Sequence, residues 1–252
     1  MPIQKFSKEK QAKGNFNYGE ILENKPIGFP QDGGELKPYS NLFYWAHAWA
    51  TDKDSTIGLH PHRGFEICSF VIKGEIEHYD TLLDKWITLN EGDVQVIKAG
   101  KGISHSEKLK SGSEIFQIWF DPNIQESLYI NAKYNDFKSN EFRIESYSGF
   151  EKKTISNEMN QIDLDSYGIQ IFQYNFKDGI HGHSINDLFY HSIFILSGTL
   201  NIEDQVFCSG DFIIIDSEKK IQLSTKNNCK IFEIISPIKP PYKTYAEVHN
   251  VN

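Results

Sequence analysis

The chain has 252 residues, of which 39% are hydrophobic and 13% aromatic, so it can form one large or two modest domains with a buried core. Its formal net charge is −8, from 26 basic and 34 acidic side chains without a block of like charge, which disfavours nucleic acid as a direct partner. The three cysteines, Cys68, Cys208 and Cys229, form no CxxC pair, which favours a reducing compartment over a disulfide framework.

The sequence shows no targeting signal. Residues 1–16 are polar and lack the apolar stretch of a secretory signal. No uncharged apolar run approaches the ~18–20 residues that a membrane-spanning helix needs. We therefore expect a soluble cytoplasmic protein that does not bind a membrane.

Short apolar runs rich in Ile, Val and Phe recur along the chain, and Gly, Asn or Asp turns end them. This pattern predicts strands, and their regular spacing predicts a sandwich or barrel. Helical periodicity is weak, and the best candidates are short pieces near residues 8–13 and 126–134. The predicted strands include residues 65–73, 94–98, 115–120, 193–196 and 212–215.

The two halves of the chain resemble each other. The segment GLHPH at 58–62 has a counterpart in GIHGH at 179–183. Downstream, KGEI at 73–76 corresponds to SGTL at 197–200, and GDV at 92–94 corresponds to GDF at 210–212. Three landmarks in the same order predict two copies of one β domain. We place the N-terminal domain at residues 1–135 and the C-terminal domain at 136–252, with a polar junction around 121–153.

Four side chains of the first half are suited to metal binding: His60, His62, His105 and Glu107. Each pair has an i, i+2 spacing, so on a strand both side chains point to the same face. Two such pairs facing one another inside a barrel would place three imidazoles and one carboxylate around one point. A lone histidine on a strand is more often a hydrogen-bonded or surface residue, but two pairs bracketing a Gly-Asp turn favour a metal site. Four ligands would leave two positions of an octahedron open for a substrate and dioxygen, or a substrate and water.

The segments HPHRGFE (60–66), KGEIEHYDT (73–81) and EGDVQVIKAGKGISHSE (91–107) resemble the signature of the pirin family, a bicupin group of the cupin superfamily. The resemblance is dense over residues 40–120 and thins after residue 121. It implies an all-β fold, with two tandem cupin (jelly-roll type) β-barrels face to face. Carried over residue by residue, the family's metal ligands fall on His60, His62, His105 and Glu107.

The resemblance also implies a chemistry. Similar proteins bind iron, and several open the central ring of the flavonol quercetin with dioxygen, so we expect an oxidoreductase of the quercetin 2,3-dioxygenase type. The expected cofactor is Fe(II), although Ni, Cu, Mn or Zn would suit the same ligands. The expected partners are a small flavonol-like substrate and O2. A bicupin mimics a dimer within one chain, so we expect a monomer.

Two other functions stay open at this point. Some members of the family regulate transcription factors or metabolic enzymes, so the first alternative is a non-catalytic metal-binding module that binds a partner protein. The second is a metal-dependent cupin isomerase or a storage protein, which the match to the pirin segments disfavours. The residues that match the family identify the metal site more firmly than the function.

For the dioxygenase, Glu107 is the predicted catalytic base. A flavonol 3-hydroxyl bound to Fe(II) would give its proton to Glu107, and the metal would favour the electron-rich enolate. Dioxygen would then attack the ring, and two C–C bonds would break with loss of carbon monoxide.

The residues around the predicted ligands have weaker signals. We expect Glu66 to lie close behind the ligands and His78 to lie on the surface beside a hairpin. Aromatic side chains in a β-barrel are usually core, but four could line an aromatic cavity: Phe65, Phe70, Phe116 and Trp119.

The second copy keeps His181 and His183 but loses the rest of the first domain's ligand pattern. By the repeat, the third histidine corresponds to Leu223, so the first domain's site cannot be completed there. We expect the C-terminal domain to lack a complete metal site and its two histidines to be a relic or to form hydrogen bonds.

Overall fold

The computed structural model describes residues 3–159, 162–216 and 220–251, and its regular structure is almost entirely β, as predicted. None of the helices in these ranges is long and apolar enough to cross a membrane. The strands are β1 (Ile3–Phe6), β2 (Ala12–Phe16), β3 (Ile21–Ile27), β4 (Leu42–Ala50), β5 (Ser55–His62), β6 (Glu66–Lys73), β7 (Glu75–Asp80), β8 (Lys85–Asn90), β9 (Val94–Lys98), β10 (Ile103–Leu109), β11 (Glu114–Phe120), β12 (Lys133–Phe137), β13 (Arg143–Tyr147), β14 (Phe150–Ser156), β15 (Gln170–Phe176), β16 (Gly179–Ser184), β17 (Phe189–Ser197), β18 (Thr199–Ile202), β19 (Gln205–Cys208), β20 (Phe212–Ile215), β21 (Lys220–Thr225) and β22 (Cys229–Pro237). The α-helices are α1 (Ile124–Ser127) and α2 (Tyr245–His249), and 3-10 turns lie at Asn17–Gly19, Pro30–Asp32 and Ser139–Glu141.

The N-terminal barrel comprises residues 11–141, 163–166 and the segment from residue 242 onward. Its described strands form a seven-stranded antiparallel sheet, β12-β9-β6-β11-β4-β3-β2, and a four-stranded sheet, β5-β10-β7-β8. Val71 and Ile115 of the first sheet belong to one buried cluster with Ile76, Leu89 and Leu109 of the second. Each of these side chains contributes about 1.5–3 kcal/mol by leaving water, so this cluster holds the two sheets together.

The C-terminal barrel comprises residues 3–10, 142–162 and 167–241. Its described strands form a seven-stranded sheet, β1-β20-β17-β22-β15-β14-β13, and a four-stranded sheet, β16-β21-β18-β19. Leu200, Phe207 and Leu223 of the smaller sheet belong to the same buried cluster as Ile193 and Ile231 of the larger one. Both barrels are therefore two-sheet jelly rolls of the cupin type.

The two barrels repeat one topology. Strands β2–β11 and β13–β22 occupy equivalent places in the two sheet orders. Gly74 and Gly198 make the same turn, with φ of 75° and 83°. A side chain at either position would meet neighbouring backbone, Ser113 in one barrel and Asn228 in the other. The matching glycines in the sequence thus mark a turn that needs a left-handed residue.

The division of the chain differs from the predicted boundary between residues 135 and 136. The chain start belongs to the C-terminal barrel, where β1 pairs with β20 and covers a sheet edge. In the N-terminal barrel the equivalent edge, beside β9, is covered by β12. The unpaired backbone groups of a sheet edge favour pairing with a further strand. Because β1 and β20, like β12 and β9, are far apart in the chain, no local sequence pattern predicts that they pair.

The strand predictions hold, whereas the helix predictions do not. The predicted apolar runs fall within β6, β9, β11, β17 and β20. Residues 8–10 form a turn, and the chain then enters β2. Near residues 126–134 only the single turn of α1 is helical, and β12 follows it. Both segments are too short to overcome the cost of helix nucleation.

Candidate metal centre and cavity

Strands β5 and β10 bring the predicted ligands together in the N-terminal barrel. They are antiparallel neighbours, and His60 lies directly opposite His105 in their register. His62 follows His60 on β5 by two residues, so its side chain points to the same face of the strand and its ring also reaches His105. The register shifts between His105 and Glu107, where β10 is bulged.

The three imidazoles converge through their Nε2 atoms. Nε2 of His105 lies 2.8 Å from Nε2 of His62 and 2.9 Å from Nε2 of His60. Nδ1 of His60 lies 2.8 Å from the carbonyl oxygen of Gly58. A carbonyl only accepts, so the proton of this ring is on Nδ1 and Nε2 presents its lone pair to the other rings.

The electrostatics of the cluster favour neutral rings. Burial, followed by the neighbouring His105 and His60, lowers the pKa of His62 to about 3. Burial and the same kind of neighbours hold the pKa of His105 well below its usual range. Neutral imidazoles with converging lone pairs are the donor set that a divalent transition metal needs.

Glu107 is fully buried beside these rings. One carboxylate oxygen accepts a hydrogen bond from Oγ of Ser69 at 2.7 Å, and the other accepts one from Nε2 of Gln117 at 2.6 Å. Its oxygens lie within 4.8 Å of nitrogens of His78 and His105. Gln117 in turn accepts a 3.3 Å hydrogen bond from the indole of Trp119. This chain of contacts fixes the orientation of the carboxylate.

A cavity of about 460 Å³ lies against the cluster. Trp119 lines it and packs edge-on against His62, with ring centroids 4.8 Å apart. Of the other aromatic residues suggested for the cavity, Phe65, Phe70 and Phe116 are not in its lining, and Phe116 lies on the opposite face of β11, where it packs on Trp45. The other aromatic side chains of the lining, Phe16, Phe29 and Tyr44, were not predicted, because they precede the segments that contain the ligand pattern. The lining comprises Phe16, Glu23, Phe29, Tyr44, Ala48, Ile57, Gly58, His60, Pro61, His62, Glu107, Ile115, Gln117 and Trp119.

A second carboxyl group, Glu23 on β3, also lines this cavity. It is 7% exposed and lies 3.4 Å from Nζ of Lys25. Burial raises the pKa of Glu23 even though Lys25 opposes the shift. Burial and then Glu23 raise the pKa of Tyr44 as well. The apolar wall therefore carries one polar region besides the histidine cluster.

His78 is not on the surface, contrary to the prediction. It is fully buried on β7, where residues of alternating burial place Ile76, His78 and Asp80 inside. Nε2 of His78 lies 3.3 Å from Oδ2 of Asp80, and its ring centroid is 5.3 Å from that of His105. The alternation with Ile76 and Asp80 was the signal that could have shown this.

Glu66 lies elsewhere than predicted. Its carboxylate accepts hydrogen bonds from the N–H of Asp165 at 2.6 Å, and from the N–H and Oγ of Ser166 at 2.9 and 2.5 Å. Burial raises its pKa to about 7, although these hydrogen bonds and Lys98 oppose the shift. Glu66 therefore anchors residues 163–166 to the N-terminal barrel.

The equivalent place in the C-terminal barrel has different residues. His181 lies opposite Leu223 in the β16–β21 register, as His60 lies opposite His105, so a leucine takes the place of the third histidine. Nε2 of His181 donates a 2.8 Å hydrogen bond to the carbonyl of Lys177. The first barrel's ligand pattern is therefore incomplete here.

His183, His191 and Glu233 form a buried group instead. Oε1 of Glu233 accepts hydrogen bonds from Nε2 of His183 at 3.0 Å and from Nδ1 of His191 at 2.8 Å. The N–H of Asn186 donates to Nε2 of His191 at 3.0 Å, so the proton of that ring is on Nδ1. A metal on Nδ1 would move this proton to Nε2, against the Asn186 N–H. The bonding is that of a structural hydrogen-bonded cluster.

Charge holds this cluster together. Burial alone would lower the pKa of His183, but the Glu233 carboxylate raises it. Burial alone would raise the pKa of Glu233, but the two histidines hold it well below its usual range. The group is thus a buried ion pair with a second, neutral donor.

The family model named Pirin matches residues 29–120, the segment that contains the histidine cluster and Glu107. These residues therefore match the pirin domain. The resemblance to that family is therefore confirmed over the N-terminal barrel.

Curated relatives each match part of this chain. The pirin-like protein of Caulobacter vibrioides is 32% identical over 153 residues, which cover 59% of this chain and 54% of that protein. Pirin-like protein 2 of Arabidopsis thaliana is 34% identical over 109 residues, covering 43% of this chain and 33% of that protein. The quercetin 2,3-dioxygenase of Escherichia coli K12 is 40% identical over 68 residues, covering 26% and 29%. The matches therefore span only 29–54% of the length of these relatives.

Solved structures match nearly the whole chain. The bacterial pirin YhhW of Escherichia coli in complex with nickel(II) has a TM-score of 0.73 and 20% identity, covering 93% of this chain and 99% of that one. A quercetin 2,3-dioxygenase of Acinetobacter baumannii has a TM-score of 0.77 and 16% identity, covering 94% and 79%. At these identities the matches show the fold, so the pirin domain lies within a bicupin.

Proposed function

We propose that this protein is a metal-dependent dioxygenase that opens flavonols such as quercetin with O2. The observation that carries the proposal is the convergence of three imidazoles and a buried carboxylate on the wall of a largely apolar cavity of about 460 Å³. Cavities of roughly 300–1,000 Å³ are typical of small-molecule sites. The naming of relatives of the pirin domain as quercetin 2,3-dioxygenases supports the same reaction.

His60, His62, His105 and Glu107 would hold the metal. The donor set fits one, because Nε2 of His105 lies within 2.9 Å of Nε2 of both His60 and His62, while burial keeps the rings of His62 and His105 neutral. We propose Fe(II) as the ion, and Ni, Cu, Mn or Zn would suit the same ligands. When bound, such an ion acidifies a coordinated hydroxyl and gives O2 access to an electron-rich substrate.

Glu107 would act as the base for the flavonol 3-hydroxyl. Each of its oxygens accepts one hydrogen bond, from Ser69 and Gln117, and keeps a lone pair for a further proton. Its fixed orientation places that lone pair without reorganisation. The proton leaves the substrate oxygen for a Glu107 oxygen, and overall one O2 adds while two C–C bonds break and carbon monoxide leaves.

The cavity walls would bind and shield the substrate. Trp119, Phe29 and Tyr44 offer ring faces and edges to a flat molecule, and Ile57 and Ile115 exclude water. Glu23 would accept hydrogen bonds from phenolic hydroxyls. The substrate class is therefore a small, flat, polyhydroxylated aromatic compound.

Oxygen uptake with quercetin tests the proposal. Protein freed of metal is reloaded with Fe(II) without oxygen, and O2 consumption and carbon monoxide release are followed after quercetin is added. We expect one O2 and one carbon monoxide per quercetin, abolished by His60→Ala and retained by His181→Gln, which removes a histidine of the other barrel. Absence of uptake by the fully loaded protein would overturn the dioxygenase and favour the regulatory module.

A further inference from the structure

The imidazoles of His78 and His105 face each other in the interior of the N-terminal barrel. They lie on neighbouring strands, β7 and β10, and both side chains are fully buried. Their ring centroids are 5.3 Å apart, and Tyr134 stacks on His78 with centroids 5.4 Å apart. His78 is therefore held between a phenol ring and a predicted metal ligand.

The protons of the two rings are complementary. Nε2 of His105 points at His60 and His62, so when it serves as a ligand the ring proton is on Nδ1. Nε2 of His78 faces the carboxylate of Asp80, which only accepts, so the proton of His78 is on Nε2 and its Nδ1 is an acceptor. One ring thus offers a donor at Nδ1, and the other offers an acceptor at Nδ1.

Both Nδ1 atoms are buried, and neither has a hydrogen-bond partner among the described residues. Buried polar atoms are rarely left without one. Asp80 is itself fixed, because Oδ1 accepts hydrogen bonds from the N–H groups of Leu82 and Leu83 at 2.7 and 2.8 Å. An anchored carboxylate therefore fixes the orientation of His78 beside a ring whose Nδ1 lacks an acceptor.

We propose that His78 is a positioning residue that accepts the Nδ1 proton of His105 through one bridging water. With Asp80 it fixes the tautomer and the ring orientation that present Nε2 of His105 to the metal. A ligating histidine normally donates its second ring proton to such a partner, and loss of the partner typically weakens metal binding about 10–100-fold. The inference rests on the proposed metal site.

Cobalt binding tests this role independently of turnover. Protein freed of metal is titrated with Co²⁺, and affinity is measured by competition with a chelator while the visible absorption reports coordination. We expect His78→Phe, which keeps the ring and removes the acceptor, to bind Co²⁺ about 10–100-fold more weakly. His78→Asn, whose Oδ1 can replace Nδ1 as acceptor, should recover most of the affinity. Tyr79→Phe, on the outward face of the same strand, should match the wild type.

NMR provides a second readout. In the Zn²⁺-loaded wild type we expect His105 to carry its proton on Nδ1, with slow exchange that becomes fast in His78→Phe. If His78→Phe does not fold, Asp80→Asn takes its place, with a smaller loss of affinity. If the folded variant binds Co²⁺ within twofold of the wild type, the proposed role of His78 is overturned, while the metal site itself stands. A wild type that binds no Co²⁺ would overturn the metal site and this role with it.

Discussion

Nε2 of His62 lies 2.8 Å from Nε2 of His105, although 43 residues separate them in the chain. Two neutral imidazoles approach this closely either by sharing a proton or by sharing a cation. His105 makes the same approach to His60 at 2.9 Å, and a single ring proton serves only one such contact well. A shared cation satisfies all three nitrogens at once. This is the physical reason for placing a metal among them.

Replacing Glu107 by Gln separates its two proposed roles. The amide oxygen of Gln can still accept the hydrogen bond from Gln117, and its NH2 can donate to the hydroxyl of Ser69, so we expect the protein to fold and to keep much of its metal. Without a basic oxygen, kcat with quercetin should fall about 10²–10⁴-fold. Metal content by elemental analysis and O2 uptake are measured on the same sample. Turnover equal to that of the wild type would exclude Glu107 as the base.

Glu233→Gln tests the buried cluster of the C-terminal barrel. It removes the charge that His183 and His191 share, so we expect the free energy of unfolding to fall by about 3–5 kcal/mol, the usual cost of breaking a buried pair. Urea denaturation measures this. Glu151→Gln, an exposed carboxyl on β14 of the same barrel, should change it by less than about 0.5 kcal/mol. A small effect of Glu233→Gln would show that His183 carries no charge there.

The sequence predicts much of the candidate metal centre of the N-terminal barrel and little of the Glu233 cluster of the C-terminal barrel. Alternation along a strand fixes which side chains share a face, so spacing alone pairs His60 with His62 and His105 with Glu107. Alternation does not show which distant strand lies alongside. Glu233 sits within an apolar run of a central strand, and its partners come from β16 and β17, so only the fold brings them together.

Glu66 gives the stability a pH dependence. Its pKa is raised from 4.5 to about 7, so its contribution is fully present below about pH 4.5 and is lost as the pH rises through 7. We expect the wild type to lose up to about 3 kcal/mol relative to Glu66→Gln between pH 5 and 8. Urea midpoints of both proteins across this range check the sign. A wild type that gains stability relative to Glu66→Gln as the pH rises would contradict it.

Glu23 should determine which flavonols bind well. A buried carboxyl that accepts a phenolic hydrogen bond is worth about 1.5–3 kcal/mol, so Glu23→Ala should raise KM for quercetin about 10–100-fold with little change in kcat. The matched comparison is a flavonol that keeps the 3-hydroxyl and lacks the others, because it offers Glu23 no donor. Its KM should be the same for both proteins. An equal rise in KM for the two substrates would mean that Glu23 acts on the shape of the cavity, since only a direct hydrogen bond depends on the missing hydroxyls.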